Sequence, residues 1–121
     1  MNMLMTLYIL NATLLLLHEL ESAFEREWEI LGLPGRITGF IIMHFPIISI
    51  LFYGLILLER QSLLGYFIGI ISGIGGLLPF LVHKIMFRKE GHFNRSISNI
   101  LIYSNIIAGI GTSLLSVYSV L

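Results

Sequence analysis

Residues 17–35, with the sequence LHELESAFEREWEILGLPG, guide the interpretation of the whole chain. They follow an apolar run that begins almost at Met1, so they lie where a membrane helix leaves the lipid. Polar side chains recur there at three- and four-residue steps, which places them on one face of a helix. They are His18, Glu21, Ser22, Glu25 and Glu29. We interpret this stripe as one wall of a polar site inside a small helical membrane protein.

The composition is typical of an integral membrane protein. Of the 121 residues, 56% are hydrophobic and 12% are charged, and the mean hydropathy is +0.92. A soluble domain carries about 25% charged residues. The formal net charge of zero gives a nucleic-acid partner no electrostatic basis. The absence of cysteine excludes disulfide bonds, thiolate metal ligands and a cysteine nucleophile.

Four apolar blocks are each long enough for a transmembrane helix, which takes roughly 20 residues. They predict an all-α fold, an integral membrane antiparallel bundle of four transmembrane helices in a single domain over residues 1–121. The predicted helices cover about residues 2–31, 37–58, 63–87 and 93–120. The first block lacks the basic segment and the cleavage site of a signal peptide, so we expect it to be retained as a helix.

This topology gathers the histidines on one side of the membrane. His18, His44, His83 and His92 all lie at or near the helix ends that share that side. Most of the basic residues share it too: Arg26, Arg36, Lys84, Arg88, Lys89 and Arg95, whereas the opposite side has Arg60. By the positive-inside rule, we predict that the histidine side is cytoplasmic and that both termini lie outside the cell (inner) membrane.

The polar residues of this side are suited to binding a divalent metal. His18 and Glu21 stand three residues apart on one helix face, the spacing that helical metal sites use. His44 and His83 would complete a shell of imidazoles and carboxylate that suits zinc, iron or manganese. A metal-bound water would have its pKa lowered to near 7. Glu25 would then act as a general base, or would fix a histidine tautomer by hydrogen bonding.

A purely structural interpretation competes with the metal site. His18 and Glu21 can hydrogen-bond each other and Asn99 or Asn105, which would fix the helix register without any chemistry. In the same way, His92 is interpreted as a solvated loop residue and His44 as an interfacial one. Two further patterns predict helix packing. A groove of small residues ends at a histidine: Gly65, Gly69, Ser72, Gly76, Pro79 and His83. A polar seam repeats every seven residues: Ser98, Asn105, Thr112 and Ser119.

Residues 18–35 resemble the signature of an uncharacterised family of small prokaryotic membrane proteins, a domain of unknown function. That signature is H-x-[IL]-[DE]-S-A-[YF]-x-x-E-W followed by a Pro-Gly turn, and this chain matches it from His18 to Trp28 and at Pro34–Gly35. A late histidine, His83, and the segment Gly91-His92-Phe93 fit the same family. A looser similarity is to the HXXEE membrane domain, from which this chain departs because Ser22 stands at the second glutamate.

The family resemblance implies a four-helix architecture and no known activity. It highlights His18, Glu21, Glu27, Trp28 and His83. On this ground we add Glu27 to Glu25 as a candidate catalytic carboxylate, and we keep His18, Glu21, His44 and His83 as candidate metal ligands. The helical wheel instead turns Glu19, Arg26 and Glu27 toward headgroups or water. If Glu27 points inward, the first helix must bend or end before it.

Three functions are compatible with these patterns. The first is a membrane-embedded metal-dependent enzyme that acts on a lipid or another apolar small molecule at the cytoplasmic boundary. The second is a non-catalytic subunit of a larger membrane complex or homo-oligomer, docked through the polar seam and the glycine-rich groove. The third is a haem or ion carrier with His18 and His83 as axial ligands.

Overall fold

The computed structural model is a bundle of α-helices and describes residues 2–86 and 95–121. Its helices are α1 (Met3–Phe24), α2 (Glu27–Ile30), α3 (Arg36–Glu59), α4 (Leu63–Gly75), α5 (Leu78–Phe80) and α6 (Ser96–Val120), with a π-helical segment at Leu81–Met86. Four spans are long and apolar enough to cross a membrane: Met3–Phe24, Arg36–Glu59, Leu63–Met86 and Ser96–Val120. The predicted all-α bundle of four spans is confirmed. The predicted loop around His92 lies outside the described residues.

The four spans do not pack equally closely. Helix α6 packs along both α1 and α4, whereas α3 packs mainly on α4 and touches α1 less. The end of the bundle farthest from His18 is closed by a small apolar core around Leu4, Tyr8 and Leu58. There the Tyr8 hydroxyl donates a hydrogen bond to the carbonyl oxygen of Leu51 at 2.6 Å, which ties α1 to α3. Toward His18 the same two helices leave space between them.

The predicted groove of small residues lies at contacts between the third span and its neighbours, since a Cβ added at Gly65 would meet the Leu57 backbone of α3 and one at Gly76 would meet Asn105 of α6. All six of its members are buried. A Cβ added at Gly73 would lie 2.6 Å from the carbonyl oxygen of Gly109 and 2.8 Å from the backbone nitrogen of Ser113, so only glycine fits there. In the polar seam of α6, Ser98, Asn105 and Thr112 are fully buried, while Ser119 is exposed and Ser116 is buried instead. The seam therefore lies mostly inside the chain's own bundle.

The first helix ends at Phe24 and does not continue to Leu31 as predicted. The chain breaks at Arg26, which adopts a left-handed conformation with φ 54° and forms the N-cap of α2. This turn restarts the helix in a new direction, so the 100° step between successive residues no longer relates Glu27 to His18. The helical-wheel prediction that Glu27 faces headgroups or water is therefore wrong, because Glu27 is buried.

The turn between α2 and α3 depends on its glycines. Gly32 and Gly35 have positive φ values of 67° and 88°, which glycine adopts without a Cβ penalty. At Gly35 a Cβ would also lie 2.9 Å from the Cα of Gly39. The Leu33 amide donates to the Trp28 carbonyl at 2.8 Å and closes the turn. Helix α3 then continues through Pro46 to Glu59.

Candidate metal centre

Three side chains from three different elements meet in the structure. His18 comes from α1, Glu27 from α2 and His83 from the π-helical segment, and their residues are 3%, 8% and 3% exposed. One potential ligand atom from each lies within 4.8 Å of the others. We refer to these three residues as the His–Glu cluster. Ionisable residues buried among apolar spans are rare and usually functional, so this cluster is the main candidate site of the described chain.

The contacts within the His–Glu cluster are close. Nε2 of His83 lies 3.2 Å from Oε1 of Glu27. The ring centroids of His18 and His83 are 5.1 Å apart with an interplanar angle of 56°. Ser22, one turn after His18 on α1, places its hydroxyl 3.3 Å from Nε2 of His18. The local backbone explains this convergence, because the π-helical segment displaces His83 from a regular α-helical position, and π-bulges are frequent at functional sites.

The charge state of Glu27 favours a cation in the cluster. Burial by itself would raise the pKa of this carboxyl group. The hydrogen bonds with His83 and Ser22 and the attraction of the two histidines outweigh burial, so the pKa of Glu27 is lowered below its ordinary value. Glu27 is therefore a carboxylate at neutral pH, with two imidazole rings beside it.

An apolar cavity of about 440 Å³ ends beside this cluster. It lies between α1, α3 and the third span, where α1 and α3 separate. Its polar lining is confined mainly to one end, at His18, Glu19, Glu27 and His44. Side chains on both sides of its rim are between 40% and 69% exposed: Met43, Ile47 and Ile50 on α3, and Ile71 and Leu78 on the third span. The cavity thus opens sideways, toward the surface that would face lipid.

His44 lies at this cavity but outside the His–Glu cluster. Its Nδ1 donates a hydrogen bond to the carbonyl oxygen of Phe40 at 2.7 Å, and its Nε2 lies 2.7 Å from Oε2 of Glu19. The Phe40 carbonyl accepts this hydrogen bond and therefore fixes Nδ1 as a protonated nitrogen, which leaves Nε2 directed at Glu19. The helical wheel predicts that Glu19 faces headgroups or water. This prediction is wrong, because the Glu19 side chain contacts His44 and so links α1 to α3.

The other predicted site carboxylates lie at the α1–α6 boundary. The Ser98 hydroxyl donates to Oε2 of Glu21 at 2.7 Å. Glu25 forms an ion pair with Arg95, whose guanidinium also lies 4.9 Å from the centroid of the Phe24 ring. The structure thus brings His18 and His83 together with Glu27, and places Glu21, Glu25 and His44 in neighbouring contacts.

Sequence patterns did not predict two features of the site. The pairing of Glu19 with His44 depends on how α3 is rotated, and no repeat in either helix indicates it. The inward position of Glu27 depends on the break at Arg26, which no proline or glycine marks. The family resemblance alone favoured Glu27, through its place in the signature.

Comparison with protein families agrees with that signature. The model of a family described as "Family of unknown function (DUF6713)" matches residues 4–119. The chain belongs to this family. No curated protein and no solved structure matches the chain. For this DUF6713 member, function therefore has to be inferred from the His–Glu cluster and the cavity beside it.

Proposed function

We propose that this DUF6713 protein is a membrane-embedded metalloenzyme in which His18, Glu27 and His83 bind one divalent metal. The observation that carries the proposal is the meeting of two imidazoles and one carboxylate, all buried, with ligand atoms within 4.8 Å of one another. Such a cluster is costly among apolar helices unless its charges are compensated, and a cation compensates them.

The donor set indicates the class of metal. Imidazole nitrogen and carboxylate oxygen suit zinc, iron or manganese, and two histidines with one glutamate form a ligand set of known catalytic zinc and non-haem iron sites. Three protein ligands leave a coordination position open for water or substrate. A metal bound there would supply Lewis acidity, while Ser22 holds the His18 ring in place by its contact with Nε2.

The cavity supports an apolar substrate. Most of its lining is aliphatic, and its opening between α3 and the third span faces the side of the bundle that lipid would cover. A hydrocarbon chain would enter it without crossing water and would bring a polar group to the end where the His–Glu cluster lies. The proposed reaction is therefore a metal-dependent conversion of a lipid or a similar apolar molecule.

The two other functions receive less support from the geometry. At 5.1 Å between centroids the His18 and His83 rings are in van der Waals contact, so no porphyrin plane fits between them. A docking subunit would present its polar seam to a partner, yet Ser98, Asn105 and Thr112 are buried within this chain. A Soret band in the purified protein would favour the carrier, and a constant co-purifying partner would favour the subunit.

Metal analysis of purified variants tests the binding step. We expect about one transition metal per chain in the wild-type protein and a loss of most of it in His83→Gln and Glu27→Gln. Glu29→Gln is the matched control, because Glu29 lies on the same short helix but its side chain is 59% exposed. His44→Gln and Glu21→Gln test the two further ligands predicted from sequence. Equal metal content in Glu27→Gln and Glu29→Gln would contradict the proposed site.

Lipid analysis of membranes tests the enzymatic step. Cells that overproduce the wild-type protein should show a changed amount of at least one lipid class relative to cells that overproduce His83→Gln at the same level. Identical lipid profiles, with metal present in the wild-type protein alone, would remove the enzymatic part of the proposal and leave a metal-binding membrane protein.

A further inference from the structure

The apolar cavity is closed at the end that lies farthest from the His–Glu cluster. Leu51 and Ile68 line the cavity there, and both pack against the small core around Tyr8. Gly54 permits this packing, because a Cβ at that position would collide with the Tyr8 hydroxyl and with Ile68. The hydrogen bond from Tyr8 to the Leu51 carbonyl holds α1 and α3 together at the same point. This end is apolar and closed, so the polar group of a ligand would lie at the other end.

The dimensions of the cavity fit one hydrocarbon chain. The cavity follows α3 from Phe40 to Leu51, a length of about 16 Å at the rise of an α-helix. An extended chain of single bonds advances about 1.2 Å per bond, so about 13 bonds cover this length. The volume of about 440 Å³ agrees, since it holds roughly 15 groups of about 30 Å³, the size of a water molecule or a methylene. A second chain would have to stay in the surrounding lipid.

The polar end of the cavity is unfavourable for an anion. Glu19 and Glu27 both line it, and no lysine or arginine of the described residues lines the cavity. The imidazole of His44 already contacts Glu19, at 2.7 Å. A phosphate group would therefore meet two carboxyl groups without a guanidinium or ammonium partner. The two positive charges of a divalent metal would balance two carboxylates and leave none in excess for an anion.

Glu19 is accessible to an uncharged polar group. Its side chain is 27% exposed, compared with 11% for His44 and 10% for Glu27. Its Oε2 faces His44, which leaves Oε1 to accept a hydrogen bond from a ligand. A hydroxyl group donates one hydrogen bond and keeps lone pairs on its oxygen, so it suits this end with or without a metal.

We infer that the cavity binds a single-chain neutral lipid of about 14 carbons, whose terminal hydroxyl group donates a hydrogen bond to Glu19. This substrate class rests on the proposed function, because it concerns the same cavity. Binding depends on Glu19 and on the apolar walls, so it is measurable in protein from which metal has been removed.

Equilibrium binding tests the end group. Protein in neutral detergent micelles, pretreated with a chelator, would be incubated with tritiated tetradecan-1-ol, and bound label would be measured by scintillation proximity. Unlabelled tetradecan-1-ol, tetradecyl phosphate and tetradecane would compete at equal mole fractions in the micelle. We expect saturable binding that the phosphate and the alkane displace about tenfold less effectively than the alcohol. The phosphate is repelled by the carboxyl groups, and the alkane cannot donate a hydrogen bond to a charged group.

Variants of the cavity wall test the location. Ile48 lines the cavity, and Ile48→Phe should weaken binding about tenfold because the larger side chain occupies the place of the ligand. Ile42→Phe is the matched control, since Ile42 lies on the same helix, is 66% exposed and does not line the cavity. Gly75→Phe fills the cavity from the third span and replaces Ile48→Phe if that variant does not fold.

A variant of the polar end tests the charge. Glu19→Gln keeps the size of the side chain but removes its negative charge, so tetradecyl phosphate should compete about tenfold better than in the wild-type protein. Glu29→Gln is the matched control, because the Glu29 side chain is 59% exposed and does not line the cavity.

Several results would overturn the inference: no saturable binding, equal displacement by the three competitors, or equal weakening by Ile48→Phe and Ile42→Phe. Stronger displacement by tetradecyl phosphate than by the alcohol would assign the cavity to an anionic lipid instead. Purified protein that contains no metal but binds the alcohol as expected would contradict the metalloenzyme and would support this assignment of the cavity.

Discussion

Nε2 of His83 and Oε1 of Glu27 lie 3.2 Å apart, although Glu27 belongs to the short helix α2 and His83 to the third span, and both residues are buried. The contact exists because two irregular features face each other. The left-handed turn at Arg26 redirects the chain after α1, and the π-helical segment shifts His83 on the third span. Departures of this kind from regular helix are frequent at functional sites, which is why the His–Glu cluster is the candidate site of the described chain.

Glu19 and His44 should show strong energetic coupling. Their contact of 2.7 Å joins α1 to α3 across the open side of the bundle. Glu19→Leu or His44→Leu alone leaves a partly buried polar group without its partner, which we expect to cost about 1–3 kcal/mol. The double variant should lose less than the sum, with a coupling energy of about 0.5–3 kcal/mol, measured by unfolding in detergent. Additive losses would show that the contact does not stabilise the fold.

Alanine substitutions at Gly73 and Gly75 should have different effects on the stability of the protein. A Cβ at Gly73 would collide with backbone atoms of α6, while one at Gly75 would meet only a side-chain carbon of Leu15 at 3.9 Å. Gly73→Ala should therefore destabilise the protein by about 1–3 kcal/mol through overpacking. Gly75→Ala should be neutral or should stabilise by up to about 1 kcal/mol through helix propensity. Similar unfolding midpoints for both variants would contradict the close crossing.

Alanine should destabilise the protein at both positive-φ glycines of the turn, and more strongly at Gly35 than at Gly32. Gly32→Ala meets no atom within 4 Å and should cost only the backbone strain of about 1–2 kcal/mol. Gly35→Ala adds the close approach to Gly39 and should cost more. Thermal unfolding in a neutral detergent compares them. A smaller loss in Gly35→Ala than in Gly32→Ala would mean that the turn is built differently.

Filling the apolar cavity should separate substrate access from metal binding. Gly75 lines the cavity, and a phenylalanine there would occupy part of its volume. Gly75→Phe should keep its metal but lose the change in membrane lipids expected of the wild-type protein. Ile107→Phe is the control, since Ile107 is on the exposed face of α6 and 75% exposed. Equal lipid profiles for the wild type and Gly75→Phe would show that the cavity does not admit the substrate.

Most of the fold, but only part of the candidate site, can be predicted from the sequence. The lengths of the apolar blocks indicate four spans, and the small residues from Gly65 to Pro79 indicate a face of the third span that packs closely on other helices. Chain reversal brings His18 and His83 to one side of the bundle, as the histidine positions predict. These features follow from hydropathy and helical periodicity, which are properties of local sequence.

The remainder of the site depends on tertiary geometry. Glu27 enters the cluster because a non-glycine residue, Arg26, adopts a left-handed conformation, and local sequence gives little sign of this. The pairing of Glu19 with His44 and the cavity beside it arise from the separation of α1 and α3, which is a property of packing among three helices. The predicted orientation, with the histidine side cytoplasmic, stays a prediction that the fold does not test.

The most direct test of the central claim is X-ray absorption spectroscopy at the edge of the metal found in the purified protein. We expect two imidazole ligands with metal–nitrogen distances of about 2.0–2.1 Å if the metal is zinc, together with oxygen ligands. His83→Gln should show one imidazole fewer. A wild-type spectrum without imidazole in the coordination shell, or no metal after purification without chelators, would contradict the account.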